Sequence, residues 1–212
     1  MLHPSSPSIL WPALDALERT AALLILVALA PFLLAIGLTI ALLSRCSPLI
    51  AHRRLGLGGA PFWVLKFRTM WPRGSAGRGP FVLTEFIVDE SGPQQKTLMD
   101  VRITSRFARF CRRHSIDELP QLLHVVMGRM SLVGPRPITN LEWTLHYRGG
   151  APEVLSVKPG LSGLWQIMGR NRLTYEERRN LDLELVRNRS LGLYLRILFW
   201  TLPEVWSGRN AW

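Results

Sequence analysis

Cysteine, histidine and acidic residues are scarce in this 212-residue chain, and each scarcity removes a class of chemistry. The two cysteines, Cys46 and Cys111, stand far apart and form no CxxC or other ligand-spaced set. They point to a reducing compartment and no structural zinc. The five histidines are scattered with no HxxxH pair, which argues against a histidine-based metal site. Acidic residues number 15 against 26 lysines and arginines, giving a net charge of +11. That excess requires an anionic partner: nucleic acid, an acidic membrane face or a phosphorylated substrate.

Charge is missing altogether from Thr20 to Ser44, a run of mostly Leu, Ala, Ile and Val. At about 1.5 Å per residue it is long enough to cross a bilayer core. It is too long, and lacks the small-residue exit, for a cleaved signal peptide. Pro31 stands near its middle and frees a backbone carbonyl, which predicts a kink or break after Ala30. Arg19 precedes the run and Arg45, Arg53 and Arg54 follow it. The positive-inside rule then places both flanks in the cytoplasm. A single crossing cannot satisfy this, whereas a re-entrant helix that bends at Pro31 and returns can; a spanning helix is the competing reading.

Leu49 to Met70 reads as two short strands around the turn Gly56-Leu57-Gly58-Gly59. Lys66 and Arg68 alternate with Phe67, so the two cations share a face, for a ligand or simply for solvent. Trp71–Thr97 is rich in Gly, Pro and Ser and reads as a loop with a short strand at Phe81–Val88. Between Asp100 and His114, Arg106, Arg109 and Arg113 recur at helical spacing beside Phe107 and Phe110. This is a basic amphipathic helix suited to anionic headgroups or, at one end, to a diphosphate.

The stretch with most chemistry runs from Ser115 to Pro137. Ser115-Ile116-Asp117-Glu118 has the form of a capping box, and Pro120 is tolerated in a first turn, so a helix is expected to begin near Ser115. Asp117 would there meet the positive end of the helix dipole, a place that also welcomes phosphate. Asp117 and Glu118 project about 100° apart on a helix, so both could reach one divalent cation without sharing a proton. The plain alternative has Glu118 capping and Asp117 decorating a helix start. Residues 119–130 continue the helix, with His124 a satisfied helix residue and not a ligand. In Gly134-Pro135-Arg136-Pro137 the flanking prolines hold Arg136 stiffly, as suits a planar fork presented to a phosphate. Leu191 to Trp206 is apolar and aromatic, with Arg196 inside it and Pro203 breaking it; it fits an interfacial helix or one packed on the core.

Asp117-Glu118-Leu119-Pro120-Gln121, the run Met130 to Pro137, Lys66-Phe67-Arg68-Thr69-Met70 and Lys158-Pro159-Gly160-Leu161-Ser162-Gly163 together resemble the bacterial sugar transferases. These are small monotopic phosphoglycosyl transferases that start lipid-linked glycan assembly, and the resemblance runs from about residue 20 to 208. It implies an α+β fold, a mostly helical single domain with a small β-hairpin. A lead (1–19), a re-entrant membrane helix (20–45) and a catalytic domain with an interfacial C-terminal helix (46–212) follow in order.

The resemblance further implies transfer of a sugar 1-phosphate from a UDP-sugar to polyprenyl (undecaprenyl) phosphate at the cytoplasmic face of the bacterial inner membrane. Asp117 would be the nucleophile and Glu118 its partner and the ligand of Mg²⁺. Lys66, Arg68, Arg112, the Pro135-Arg136-Pro137 turn, Lys158 and Arg170 would bind substrate. Membrane lipids are implied partners and nucleic acid is not. The chain departs from the family pattern at Ala30 (Ser), Val101 (Pro), Ala108 (Gly), Leu161-Ser162 (Ile-Thr) and Met168 (Asn). The Met168 change bears on sugar preference. A tethered basic binding protein and a lipid-diphosphate hydrolase are the rival functions.

Overall fold

The long uncharged run folds as α1 (Leu10–Ser44), one helix that continues through Pro31. The structure is a computed structural model and describes residues 10–70, 82–87, 105–169 and 172–207. The expected break at Pro31 is absent. Proline costs a helix interior about 3 kcal/mol, but here strong helix formers on both sides are pinned to the rest of the protein. Ala22 packs with Phe62, Val64 and Leu122, while Ile36 and Ile40 pack with Phe67, Cys111 and Ile116. The buried positions Glu18, Ala22, Ile36, Ile40 and Ser44 lie at helical spacing along nearly the whole element. The other face carries exposed Leu23, Leu24, Val27, Leu34, Leu38 and Leu42.

β1 (Leu49–Leu55) and β2 (Pro61–Phe67) form the expected hairpin, joined at Leu57–Gly59. Gly58 and Gly59 have φ of 65° and 77°, which is why the turn is built of glycine. A third strand, β3 (Thr84–Ile87), joins within the predicted 81–88 strand and pairs in parallel with β1, giving the order β2-β1-β3.

α2 (Arg106–Arg113) starts at Ser105, whose side chain accepts the N–H groups of Phe107 and Ala108. The expected capping box at Ser115 does not form: Ser115 takes a left-handed backbone conformation (φ 54°, ψ 20°) and makes no side-chain cap. The chain reverses there, only two residues after α2 ends. Ile116–Gln121 is therefore a 3₁₀ turn containing Pro120, followed by the short α3 (Leu122–Val126), not one helix through residue 130. True capping boxes occur at Thr139–Glu142 and Thr174–Glu177.

β4 (Ser131–Val133) and β5 (Gly160–Ser162) form a parallel pair absent from the sequence reading. Between them lie α4 (Asn140–Glu142), continued by a π-helical turn Trp143–Tyr147, and a 3₁₀ turn Pro152–Ser156. α5 (Leu164–Met168), α6 (Tyr175–Arg187) and α7 (Leu191–Ser207) follow. α7 runs through Pro203, packs one face on the core and leaves the other exposed. Tyr194 and Ile197 are buried against Val133, Leu164 and Leu185, and Leu195, Phe199, Trp200 and Leu202 are exposed.

Three buried contacts fasten α1 to this core. Glu18 Oε1 accepts the Ser131 hydroxyl (2.6 Å), the Leu132 N–H (3.2 Å) and the Tyr194 hydroxyl.

Candidate functional site

β1 and β2 turn alternate residues toward the 3₁₀ turn, and polar groups from five segments meet at one cleft. Lys66 Nζ lies 2.8 Å from Glu118 Oε1. Arg54, Gln121, Arg136, Pro137 and Gln166 line the same open cleft of about 320 Å³, solvent included. Arg54 was counted from sequence as a membrane-flanking charge. Its guanidinium reaches Glu142 at 3.3 Å.

The β4–β5 pair explains why two distant motifs meet here. A Cβ on Gly160 would lie 2.0 Å from Gly134 N, so only glycine allows the Pro135-Arg136-Pro137 turn to press against the Lys158-Pro159-Gly160 strand. The Gly160 N–H then donates to the Pro135 carbonyl at 2.8 Å.

Electrostatics favour a bound anion. Burial alone would lower the Arg136 pKa, but Glu142, Glu118 and Asp182 around it raise it, so it is permanently charged. Burial would raise the Glu142 pKa, yet Arg136, Arg54 and the Thr139 cap hold it below the usual carboxylate range. The Arg136 guanidinium lies 5.0 Å from the centre of the Trp165 ring, and Arg178 lies 5.2 Å from the same ring. Arg136 Nε, Arg178 Nε and Gln166 Oε1 are buried without a protein hydrogen-bond partner. Such orphaned groups beside an open cleft are suited to a ligand's oxygens and hydroxyls.

The sequence-predicted residues divide into two groups. Lys66, Glu118, Arg136 and Pro137 meet in the cleft. Asp117 is 5% exposed and does not line it. Successive side chains of a 3₁₀ turn diverge by about 120°. Asp117 accordingly faces α2, where burial and its charge push the Cys111 thiol up to about 11. Arg112 bonds Thr69 Oγ1 at 3.3 Å and keeps a buried Nε without a protein partner.

Arg68 does not share the open face with Lys66: it is buried, donating to the Ser47 carbonyl (2.7 Å) and pairing with Glu85. Pro135 and Lys158 line a second pocket near α7, and Lys158 pairs with Asp15 of α1. Ala30 and Pro31 are exposed in mid-helix. Arg170 lies outside the described residues.

His124 is a buried core residue, but the structure satisfies only one of its ring nitrogens: Nδ1 is buried without a protein partner. Its Nε2 accepts the Leu65 N–H at 3.0 Å, and burial with Arg129 nearby lowers its pKa to about 4. The sequence reading missed Arg54, Gln121, Trp165, Gln166, Arg178 and Asp182. Period-two spacing of His52 and Arg54, and the i,i+4 pair Arg178 and Asp182 on α6, were the available signals.

Among the described residues, no three His, Cys, Asp or Glu side chains gather as a protein-only metal cage would require. Glu118 is the one carboxylate among the described residues that line the cleft, and it could hold a divalent cation only if phosphates and water supplied the remaining ligands.

The bacterial sugar transferase family matches residues 12–208 of this chain. The exopolysaccharide production protein ExoY of Sinorhizobium fredii is 40% identical over 192 residues, spanning 90% of this chain and 84% of that protein. The UDP-glucose:undecaprenyl-phosphate glucose-1-phosphate transferase of Caulobacter vibrioides is 37% identical over 206 residues, 92% of this chain and 70% of its own length. The undecaprenyl-phosphate galactose phosphotransferase of Salmonella typhimurium is 39% identical over 160 residues, 73% of this chain and 32% of the longer relative.

Proposed function

The chain belongs to the bacterial sugar transferase family, and from that premise we propose that it moves a hexose 1-phosphate from a UDP-sugar to undecaprenyl phosphate, in exopolysaccharide synthesis. UDP-glucose and UDP-galactose are the donors to try first, because relatives bear those names. The observation that carries the reading is the cleft itself: Glu118 held 2.8 Å from Lys66, with Arg54 and Arg136 on the same walls, beside a helix apolar enough for a membrane.

In this reading Asp117 attacks the β-phosphorus of the donor. The bond to the bridging oxygen breaks, UMP leaves, and a phosphosugar–aspartyl ester remains. An oxygen of undecaprenyl phosphate then attacks the same phosphorus and frees Asp117. Asp117 is supported by its position next to Glu118 and by its motif; it is buried facing α2, so it must turn toward the cleft to reach the phosphorus. Lys66 and Arg136 hold the diphosphate oxygens on which charge develops, and Arg112 serves the same end from α2. Mg²⁺, taken by Glu118 together with the diphosphate, would offset repulsion between carboxylate and phosphates.

The membrane arrangement belongs to the same proposal. Both ends of α1 pack on one domain, Ala22 on the sheet side and Ile40 by α2. This supports a helix seated in one leaflet with its ends on the cytoplasmic side, and the exposed α7 aromatics lying at the headgroup level. A lipid phosphate and a soluble nucleotide sugar then meet at one plane.

The test is UMP release by detergent-purified protein with Mg²⁺ and a UDP-sugar panel, with and without undecaprenyl phosphate. Acceptor-dependent release lost in Asp117→Asn supports the transferase. Repeated turnover without acceptor, beyond one UMP per enzyme, makes the protein a hydrolase, and salt-sensitive anion binding indifferent to Asp117→Asn makes it a binding protein.

A further inference from the structure

The α6 carboxylate Asp182 is fully buried, yet sequence and family reading give it no task. Its Oδ1 accepts the main-chain N–H of Arg136 at 3.3 Å, and its Oδ2 accepts the Tyr147 hydroxyl at 3.0 Å. Resting on the transferase reading, we propose that Asp182 is a positioning residue: it pins the only amide of the Pro135-Arg136-Pro137 turn and so aims the Arg136 guanidinium into the cleft.

Proline has no N–H and a fixed φ, so Pro135 and Pro137 are already constrained. Arg136 supplies the turn's one backbone donor and its one free φ. A hydrogen bond at that amide therefore decides where the side chain leaves the backbone. The guanidinium needs such help, because its Nε has no protein partner and it lies over the Trp165 ring, which fixes no direction in the ring plane.

Stability alone is a poor reason for this carboxylate. A buried charge costs more than an apolar residue of the same size unless it is well paired. Asp182 bonds an amide and a hydroxyl, while the charges facing it, Arg136 on the turn and Arg178 on its own helix, act only at longer range. From the segment packed against α6 it faces Tyr147, with Glu142 close to that hydroxyl and His146 further out, stacked on Tyr175. Burial pushes Asp182 up to about 7, against the pull of Tyr147, the Arg136 amide and the two arginines. A proton on Asp182 removes one acceptor and slackens the turn, so donor use should fall as pH drops through neutrality.

The test uses the full chain in detergent, with Asp182→Leu, Asp182→Asn and Arg136→Ala. Hydrogen–deuterium exchange reads the Arg136 amide, and steady-state kinetics with a UDP-sugar and undecaprenyl phosphate read function. Asp182→Leu removes both acceptors; the Arg136 amide should exchange faster, and kcat/KM for the UDP-sugar should fall about tenfold or more, with KM for the lipid unchanged. Asp182→Asn keeps an oxygen for the amide and does not titrate. It stands in for the protonated acid, so at every pH it should work as wild type does on the acid side of neutrality, with no pH limb there. In the Arg136→Ala background Asp182→Leu should cost nothing further.

Unchanged exchange in Asp182→Leu, or a multiplicative loss in the double variant, overturns the proposal. If Asp182→Leu does not fold, a wild-type pH limb in Asp182→Asn overturns it instead. Wild type that turns over no UDP-sugar sinks the transferase reading, and the exchange measurement still decides the pin.

Discussion

Lys66 Nζ and Glu118 Oε1 are 2.8 Å apart, joining strand β2 to the 3₁₀ turn that carries the Asp-Glu pair. The two side chains are 20% and 25% exposed. An ion pair this open contributes at most about 1 kcal/mol to stability, so its value lies in holding both groups at the cleft wall.

Glu118→Gln should therefore leave the protein folded, with a melting temperature within a few degrees of wild type. UMP release should fall on the order of 10²-fold or more. Thermal unfolding and turnover on the same detergent preparation check this. A large drop in melting temperature would move Glu118 from chemistry to structure.

Asp117 and Glu118 should separate by a covalent label. With a donor radiolabelled in the sugar and no acceptor, wild type should retain label on the protein after denaturation. Asp117→Asn should retain none, and Glu118→Gln should be labelled slowly. Label persisting in Asp117→Asn but lost in Glu118→Gln would make Glu118 the nucleophile.

Gly160→Ala should be among the most damaging small substitutions in the chain. The new Cβ would stand 2.0 Å from Gly134 N and 2.4 Å from the Ser162 carbonyl oxygen, both backbone atoms. Strand β5 would have to move, costing about 1–3 kcal/mol or more, and the Pro135-Arg136-Pro137 turn would move with it. Denaturant unfolding measures the first effect and KM for the UDP-sugar the second.

Acid should weaken the fold through two histidines. Burial, followed by Arg54, Lys66 and Arg68, lowers His52 to about 4; burial and Arg129 lower His124 to about 4. Both are neutral when folded and charge near pH 6.5 when unfolded. The unfolded chain then binds more protons between those values, so stability is complete above pH 6.5 and drains away as pH falls toward 4. His124→Gln, which keeps an acceptor for Leu65, should lose less than wild type between pH 7 and 5 in thermal melts.

Glu18 should prove a structural member of α1, although it stands at the edge of an apolar run. Glu18→Ala strands the Ser131 hydroxyl, the Leu132 amide and the Tyr194 hydroxyl in the interior. The expected loss is about 2–4 kcal/mol, read as a lower denaturant midpoint, with Tyr194→Phe costing a fraction of it.

Much of this protein was legible because it rests on local rules. The uncharged run before Ser44, the glycine turn at 56–59, the arginine stripe of α2 and the stiff Pro-Arg-Pro turn all follow from composition or short-range spacing. Lys66, Glu118 and Arg136 could be named, and they do share one cleft. Arg68 and Lys158 could be named equally well, yet they spend their charges on Glu85 and Asp15. Sequence spacing says which face a side chain takes, not what waits opposite it.

The sequence by itself determined the apolar helix, the hairpin and the types of residue at the site, since those depend on neighbours a few positions away. Only the tertiary structure decided that Ser115 turns left-handed and splits Asp117 from Glu118, because α2 ends two residues earlier and the chain must reverse. Only it decided that Gly134 and Gly160 touch, that α1 stays whole through Pro31, and that Asp182 reaches the Arg136 amide. The last three depend on packing between segments tens of residues apart, where contact is settled by which surfaces bury together.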